Sequence, residues 1–471
     1  MHTKSTPAPS LNPAVLGSFR QSPALHVHRW ISSDGLTNGK DETPPSLQAD
    51  DGDTHHAIEI DTTQLGQVID GFGGCFNERG WESLDALSTP LREQVLKNLF
   101  AQDGEGCRFT LARTPIGASD YAMDWYSLAD TPEDYELKDF SLARDRKYLL
   151  PFIKAALQQN PRLQIWASPW CPPAWMKING RYDYKGGVEV CHIRQESRVL
   201  EAYARYFDLY LREYHKEGVP IYAIHVQNEP ASGQVFPSCE WSGEELLNFL
   251  KNHLIPSFLK EKISAEIWLG TINHGDVRAY ASKVFADPFV RQHVTGLGYQ
   301  WDGKHAIGDA AALFPEKKLM QTESECGNGS NDKAAGMHTY SLITHYLKRG
   351  ANSYLYWNLV LDKGGYSTWS WQQNSLLTVE RAKNLVIYNF EYHVLRHFSR
   401  FVQVGARRLI TKGKDQHCLA FLNPDETVVI VAQNPRYTPL LLKVRLGGRM
   451  LTATLPPESL HTFVLSISSI N

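Results

Sequence analysis

No uninterrupted apolar run in this 471-residue chain approaches the roughly 20 residues a bilayer-crossing helix needs, so no membrane span is expected. An excess of one charge is also missing. The 48 basic side chains oppose 51 acidic ones, a net charge of −3, which argues against nucleic-acid binding, a class normally marked by a basic surplus or patch. Cysteine is sparse and unpaired in pattern: Cys75, Cys107, Cys171, Cys191, Cys239, Cys326 and Cys418 are scattered, odd in number and contain no CxxC. They read as buried or free thiols, not as a disulfide frame or a zinc site. The 18 histidines supply no HExxH motif, and the adjacent His55 and His56 would point to opposite faces of a strand, which suits a joint ligand poorly. Neither a metal nor another cofactor is expected. The N-terminus, MHTKSTPAPSLNPAVLGSFRQ, has prolines and polar residues where a secretory signal would carry an apolar block. The chain is expected to be cytoplasmic, or secreted or periplasmic with its export signal removed. What is present is 42% hydrophobic and 21% charged residues, the balance of a globular chain able to bury a large core.

Two patterns share the chain. From about Ala406, short β-rich runs recur between turn signals: Leu419 to Leu422, Val428 to Gln433, Leu440 to Leu446 and His461 to Leu465. Such spacing marks an antiparallel sandwich. Strand-like pieces near the other end, His26 to Ile31 and His55 to Ile60, flank a stretch from Leu36 to Thr54 that reads as a loop. A β-domain built from both chain ends is inferred.

Between the ends, short apolar runs alternate with longer helical stretches, the signature of parallel βα units. The runs lie near Val68, Phe109, Ile165, Ile224, Trp268, Leu297, Met320 and Leu355. Eight such strands imply a closed (β/α)8 barrel. Between Arg194 and Glu217, Leu200, Tyr203, Phe207, Tyr210 and Tyr214 recur at helical spacing, with Gly218 and Pro220 as stop signals. Further amphipathic stretches run from Ser83 to Phe100, Glu244 to Leu259, Asp332 to Arg349 and Lys383 to Phe398. The expected fold class is therefore α/β, a TIM barrel with a side β-sandwich. The expected division is a flexible segment 1–22, sandwich strands in 23–65, the barrel in 66–401 and the rest of the sandwich in 402–471.

Barrel enzymes gather substrate at the C-terminal ends of their strands. Those ends here supply Arg113, Ser168-Pro169-Trp170, Asn228-Glu229-Pro230, Gln300-Trp301, Glu323 and Trp357-Asn358. Two carboxylates with an arginine, an asparagine and several tryptophans fit glycoside hydrolysis, in which one carboxyl protonates the leaving oxygen and another attacks or activates water. Glu229 and Glu323 stand about three βα repeats of roughly 30 residues apart, which puts them at strands four and seven, across the barrel mouth.

The motifs VQNEP, RTPIGASDYA, ADTPEDYELKDFSL, ASPWCPPAWMK and LYWNLVLDKGG together resemble glycoside hydrolase family 30, from about Gly66 to the C-terminus. That resemblance implies a retaining β-glycosidase that needs no cofactor, with Glu229 as acid/base and Glu323 as nucleophile. By the same resemblance Asn228 bonds the sugar 2-hydroxyl and Arg113 lies beneath the nucleophile and holds it ionised. Asp120 and Trp170 match residues that bind the outer hydroxyls, and Trp357 forms part of the wall beneath the sugar. Gln300 takes the place after strand six where the lysosomal glucosylceramidases of the family carry a tyrosine against the nucleophile. Trp369 and Trp371, in a loop facing the mouth, are more similar to β-1,6-glucanase and β-glucosidase members. Glu78 and Glu325 are left outside the site. The expected substrate is a β-1,6-glucan or gluco-oligosaccharide, with glucosylceramide or a broad range of β-glucosides as the alternative. A catalytically silent carbohydrate-binding protein on the same scaffold is the competing reading from another class, and a metal-dependent barrel hydrolase is disfavoured by the missing histidine cluster.

Overall fold

The structure, a computed structural model, describes residues 27–33, 36–41, 45, 47–49, 52, 57–184, 190–413 and 417–466. The segment 1–22, expected to be flexible, lies outside the described residues, as do His55 and His56. Two compact units result, one from residues 69–405 and the other from the chain ends on either side of it.

The larger unit is a closed parallel barrel. Its strands are β1 (Gly71–Cys75), β2 (Leu111–Ile116), β3 (Gln164–Pro169), β4 (Ile221–His225), β5 (Glu266–Ile272), β6 (Val294–Gln300), β7 (Lys318–Glu323) and β8 (Ser353–Asn358). Each pairs with its sequence neighbour, and β8 returns to β1 through Ser353 beside Gly71. The eight runs read from the sequence are these eight strands. They were legible as short continuous apolar stretches because barrel strands are covered on both faces and need no polar side. Leu111, Trp166, Ala223, Trp268, Met320 and Leu355, one from each of six strands, fill the interior as a packed core. His225 fits among them between the rings of Trp166 and Trp268, at 4.0 and 4.9 Å, and burial drives its pKa well down, so it packs as a neutral ring.

The outer helices follow from their apolar faces. Ser197–Lys216 buries Leu200, Tyr203, Phe207, Tyr210 and Tyr214, and ends where Gly218 takes φ +79° while the Val219 N–H bonds back to the Tyr214 carbonyl. Two expectations need correction. The stretch Lys383 to Phe398 is not one helix: Leu385–Tyr388 is a strand paired antiparallel with Leu377–Glu380, and the helix is Phe390–Ser399. The run Leu-Val-Ile-Tyr is β-branched and aromatic, and a left-handed Asn384 turns it back onto its partner. The stretch Ser83 to Phe100 is two helices, Glu78–Asp85 and Thr89–Phe100, because Pro90 starts a new helix.

In the second unit, Val27–Ser33 pairs antiparallel with Ser459–Ser466, and Ala57–Val68 lies between Arg407–Lys412 and Leu440–Leu446. Both chain ends thus build one β-sandwich around Ile58, Ile60, Leu409, Ile430, Val444, Leu451 and Phe463. The stretch Leu36 to Thr54, expected to be a loop, contains two short strands, Leu36–Lys40 against Val27–Ser33 and Leu47–Ala49 against Arg449–Leu455. Their pairing comes from partners distant in sequence, which local turn residues do not reveal. Among the described residues no helix is long and apolar enough to cross a membrane.

The barrel closes tightly where β1 passes β2. A Cβ added at Gly73 would stand 1.7 Å from the Leu111 carbonyl oxygen, a backbone atom that cannot swing aside. Gly73→Ala is therefore expected to lower stability by at least about 2 kcal/mol through overpacking. Denaturant unfolding measures it; an unchanged midpoint would show that these strands have room to separate.

Candidate active site

At the C-terminal ends of the strands a cavity of about 380 Å³ opens, lined among others by Asp120, Trp170, Asn228, Glu229, Trp301, Glu323 and Trp371. Its floor is organised by Arg113, which projects from the middle of β2 and is fully buried. The guanidinium donates to Glu323 Oε2 at 2.9 Å and to Asn228 Oδ1 at 2.6 Å, and both Nε and Nη2 donate to Ser168 Oγ at 3.1 and 3.0 Å. It also lies over the Trp170 ring at 4.2 Å, with Trp166 and Trp357 at 5.1 and 5.4 Å. A buried cation this well paired and caged by indoles is held in one orientation.

Glu323 and Glu229 face the same cavity from β7 and the loop after β4. Glu323 accepts from Arg113 on one oxygen and from Trp301 Nε1, at 3.1 Å, on the other. Glu229 accepts from Gln300 Nε2 at 3.1 Å. The Gln300 amide cannot be reversed, because its Oε1 accepts from Thr322 Oγ1 at 3.0 Å and its nitrogen also donates to Asn228 Oδ1. Asn228 is oriented by the same reasoning. Its Oδ1 takes three donors, from Arg113, Thr271 and Gln300, so the amide nitrogen is the atom left for a ligand.

The two glutamates have unlike electrostatic surroundings. Burial raises both pKa values. For Glu323 the rise is opposed by the Arg113 charge and by hydrogen bonds from Trp301, Arg113 and Gln300. For Glu229 the Glu323 charge adds to the burial, and Gln300 with the more distant Arg113 opposes it only weakly, so its carboxyl is pushed up to about 8. The surroundings therefore favour the charged form more at Glu323 than at Glu229. Asp120 is raised as well, by burial and then by the Glu323 charge. Its Oδ2 accepts from Trp357 Nε1 at 3.1 Å, while Oδ1 is buried with no hydrogen-bond partner and remains available as an acceptor.

Backbone strain collects at the same place. Glu229 and Trp301 have φ of +45° and +47°, a left-handed conformation that non-glycine residues rarely adopt. The Glu229 N–H donates to the Thr271 carbonyl, and the Ser232 N–H donates to the Glu229 carbonyl, both at 3.1 Å, which holds the turn.

Of the residues expected at the site, Asp120, Trp170, Asn228, Glu229, Glu323 and Trp371 line the cavity. Arg113 and Gln300 lie behind the carboxylates, fully buried. Trp357 is also fully buried; it stacks on Trp170 at 5.1 Å and donates to Asp120, and it is not among the residues that line the cavity. Trp369 does not line the cavity but packs edge-on against Trp125 at 5.0 Å. Gln300, after β6, donates to Glu229 and also bears on Glu323, and the next residue, Trp301, adds its indole N–H to Glu323. Glu78 is paired with Arg144, and Glu325 with Lys304 and His338, so neither is a cavity carboxylate. The structure adds Ser232, Gln234, Phe236, Asn273, Asp302 and Gln373 to the lining. Asn273, directly after β5, and Asp302, two residues after β6, had positions that could have flagged them; the others lie in loops whose path no local pattern reveals.

Two family models match. Residues 69–402 fit the Glycosyl hydrolase family 30 TIM-barrel domain, and residues 405–463 fit the Glycosyl hydrolase family 30 beta sandwich domain. The lysosomal acid glucosylceramidase of Mus musculus is 27% identical over 483 residues, covering 97% of this chain and 91% of the relative. The endo-1,6-beta-D-glucanase BGN16.3 of Trichoderma harzianum is 26% identical over 443 residues, covering 87% and 86%. Among solved structures, SrfJ from Salmonella typhimurium superposes with a TM-score of 0.84 at 27% identity, covering 94% of this chain and all of that one.

The raised pKa of Glu229 has a stability consequence. Its native value of about 8 exceeds the ordinary value of roughly 4.3 for an unfolded glutamate. Between those limits the native state binds more protons than the unfolded one, so stability falls as pH rises, by at most about 1.4 kcal/mol per pH unit. Glu229→Gln removes this loss. Thermal melts are expected to show the variant gaining on the parent from about pH 5 to about pH 8; a constant difference would place the proton elsewhere.

Proposed function

The chain belongs to glycoside hydrolase family 30, and from that membership we propose that it hydrolyses β-D-glucosidic bonds with retention, acting by double displacement on β-1,6-linked glucan or gluco-oligosaccharides. Glu323 attacks the anomeric carbon while Glu229 gives its proton to the departing oxygen. Water then enters, deprotonated by the same Glu229, and the bond to Glu323 breaks. The observation that carries this reading is the unlike surroundings of two carboxyls facing one cavity: the Arg113 cation and the Trp301 N–H favour the charged form of Glu323, whereas Glu229 accepts from the neutral Gln300 amide and feels the field of Glu323. Retention calls for carboxyl groups about 5 to 5.5 Å apart, against roughly 6.5 to 9.5 Å for inversion. Support comes from Gln300, whose single amide bears on both glutamates.

The other cavity residues fit a sugar. Asn228 offers an amide N–H beside the nucleophile, where a 2-hydroxyl would lie, and the unpartnered Asp120 Oδ1 offers an acceptor for a hydroxyl deeper in the cavity. Trp170 and Trp371, with Phe236 at 4.7 Å from Trp371, supply apolar ring faces. Those faces, with the similarity to a β-1,6-glucanase, favour a glucan; the similarity to a glucosylceramidase over nearly the whole chain is what favours the lipid glucoside.

Glu323→Ala is expected to fold and to lose at least about a thousandfold in activity on an aryl β-glucoside. Azide restores turnover and gives the α-glucosyl azide, because it takes the place of the attacking carboxylate; with Glu229→Ala the azide product is β. A β-azide from the Glu323 variant would contradict double displacement. Parallel assays with pustulan and glucosylceramide test the substrate, and activity on the lipid alone would overturn the glucan reading.

A further inference from the structure

The cavity lining divides by the strands that deliver it. Asp120, Trp170, Trp371 and Gln373 follow β2, β3 and β8, whereas Ser232, Gln234, Phe236, Asn273, Trp301 and Asp302 follow β4, β5 and β6. The strands β4, β5 and β6 are consecutive neighbours in the barrel, so the second group forms one continuous arc. Glu229 stands on that arc. If it protonates the leaving oxygen, the leaving group departs on the arc's side. We propose that this arc is a leaving-group subsite for a sugar and that Asp302 is the residue that selects a hydroxylated leaving group over an apolar one. The proposal rests on the acid/base reading of Glu229 and deepens it by naming the chemistry of the group that departs.

Three polar side chains on the arc, Ser232, Asn273 and Asp302, stand beside Gln234, Phe236 and Trp301. Asn273 is locked: its Oδ1 accepts from the Ala231 N–H at 3.1 Å, and its Nδ2 donates to Ser232 Oγ at 2.6 Å. Because the Ser232 oxygen is occupied as an acceptor from Asn273, its own hydroxyl hydrogen is free to donate outward. Asp302 is exposed at the mouth, and its carboxylate has neither a hydrogen bond nor an ion pair among the described residues. The arc therefore presents a donor from Ser232 and an acceptor-only carboxylate from Asp302. A pyranose hydroxyl both donates and accepts, so adjacent hydroxyls on one ring can satisfy both groups.

An apolar leaving group cannot. Seating an alkyl chain beside Asp302 displaces part of the water around its carboxylate and returns no hydrogen bond, a cost that sites built for hydroxyls use to reject analogues lacking them. The unpaired negative charge also disfavours an anionic leaving sugar. The same arc would hold an incoming sugar in the second half-reaction, since that step runs through the same positions in reverse.

The test compares two substrates whose leaving groups are both ordinary alcohols: the β-1,6-linked glucose disaccharide and octyl β-glucoside. For Asp302→Leu, the ratio of kcat/KM for disaccharide over octyl glucoside is expected to fall by about tenfold or more, and for Asp302→Asn by less, since the amide still bonds a hydroxyl. A ratio within about twofold of the parent's in Asp302→Leu would overturn the subsite, because removing a charged hydrogen-bond partner would then have cost nothing. An aryl β-glucoside assayed beside them separates the two claims. Parent protein that cleaves it while the ratio stays put loses only the subsite; parent protein that cleaves none of the three overturns the β-glucosidase reading and the subsite with it.

Discussion

A guanidinium with no access to water needs compensation, and the arrangement around Arg113 supplies it. The charge is met by Glu323, the remaining N–H groups are taken by Ser168, Asn228 and the Thr322 carbonyl, and the flat faces are enclosed by Trp166, Trp170 and Trp357. Removing any one partner would leave a buried donor or a buried charge unpaired, which is costly. The position of Glu323 is thereby tied to the barrel core instead of to a loop. From Asn228 the order passes to Gln300, and from Gln300 to Glu229, so a chain of hydrogen bonds beginning at one cation orients both carboxyl groups. A site with this support can hold its reacting groups in place before substrate arrives.

The same support makes two chemically identical side chains behave differently. Burial alone would raise both glutamates alike. The difference comes from what each one touches: a cation and an indole N–H for Glu323, a single neutral amide and the field of the other carboxylate for Glu229. A stability cost accompanies the division of roles. Two carboxyls are buried against each other, and the two backbone positions nearest them, Glu229 and Trp301, adopt left-handed conformations that the surrounding hydrogen bonds must sustain. Local features that disfavour folding are expected at sites that perform chemistry.

The barrel strands and most of the helices were legible in the sequence because their patterns are local. A strand covered on both faces is a short apolar run, and a helix on a barrel repeats its apolar residues every three or four positions. The errors fall where pairing partners are distant. Leu385–Tyr388 follows a helix-compatible stretch and becomes a strand only because Leu377–Glu380 lies beside it, and the two short strands within residues 36–49 are likewise defined by neighbours. Among site residues, those at strand ends could be listed from the barrel rule alone, but rank within the site could not. Gln300 and Trp301 are consecutive, and nothing in their order tells which one reaches Glu323. Trp301, whose backbone is left-handed, donates its indole N–H to Glu323, and Gln300 donates to Glu229.

The amino-acid sequence by itself determined the fold class, the number of barrel strands, the union of both chain ends in a β-sandwich and the family, since each is written in periodicity or in motifs of adjacent residues. Tertiary structure alone decided how unlike the surroundings of the two carboxyls are, which tryptophans touch the cavity and which lie beneath it, and that Asp302 stands at the mouth with no partner among the described residues. Those properties depend on burial and on distances between residues from different strands. Electric fields and hydrogen bonds act through space, and the spacing of residues along the chain carries no measure of it.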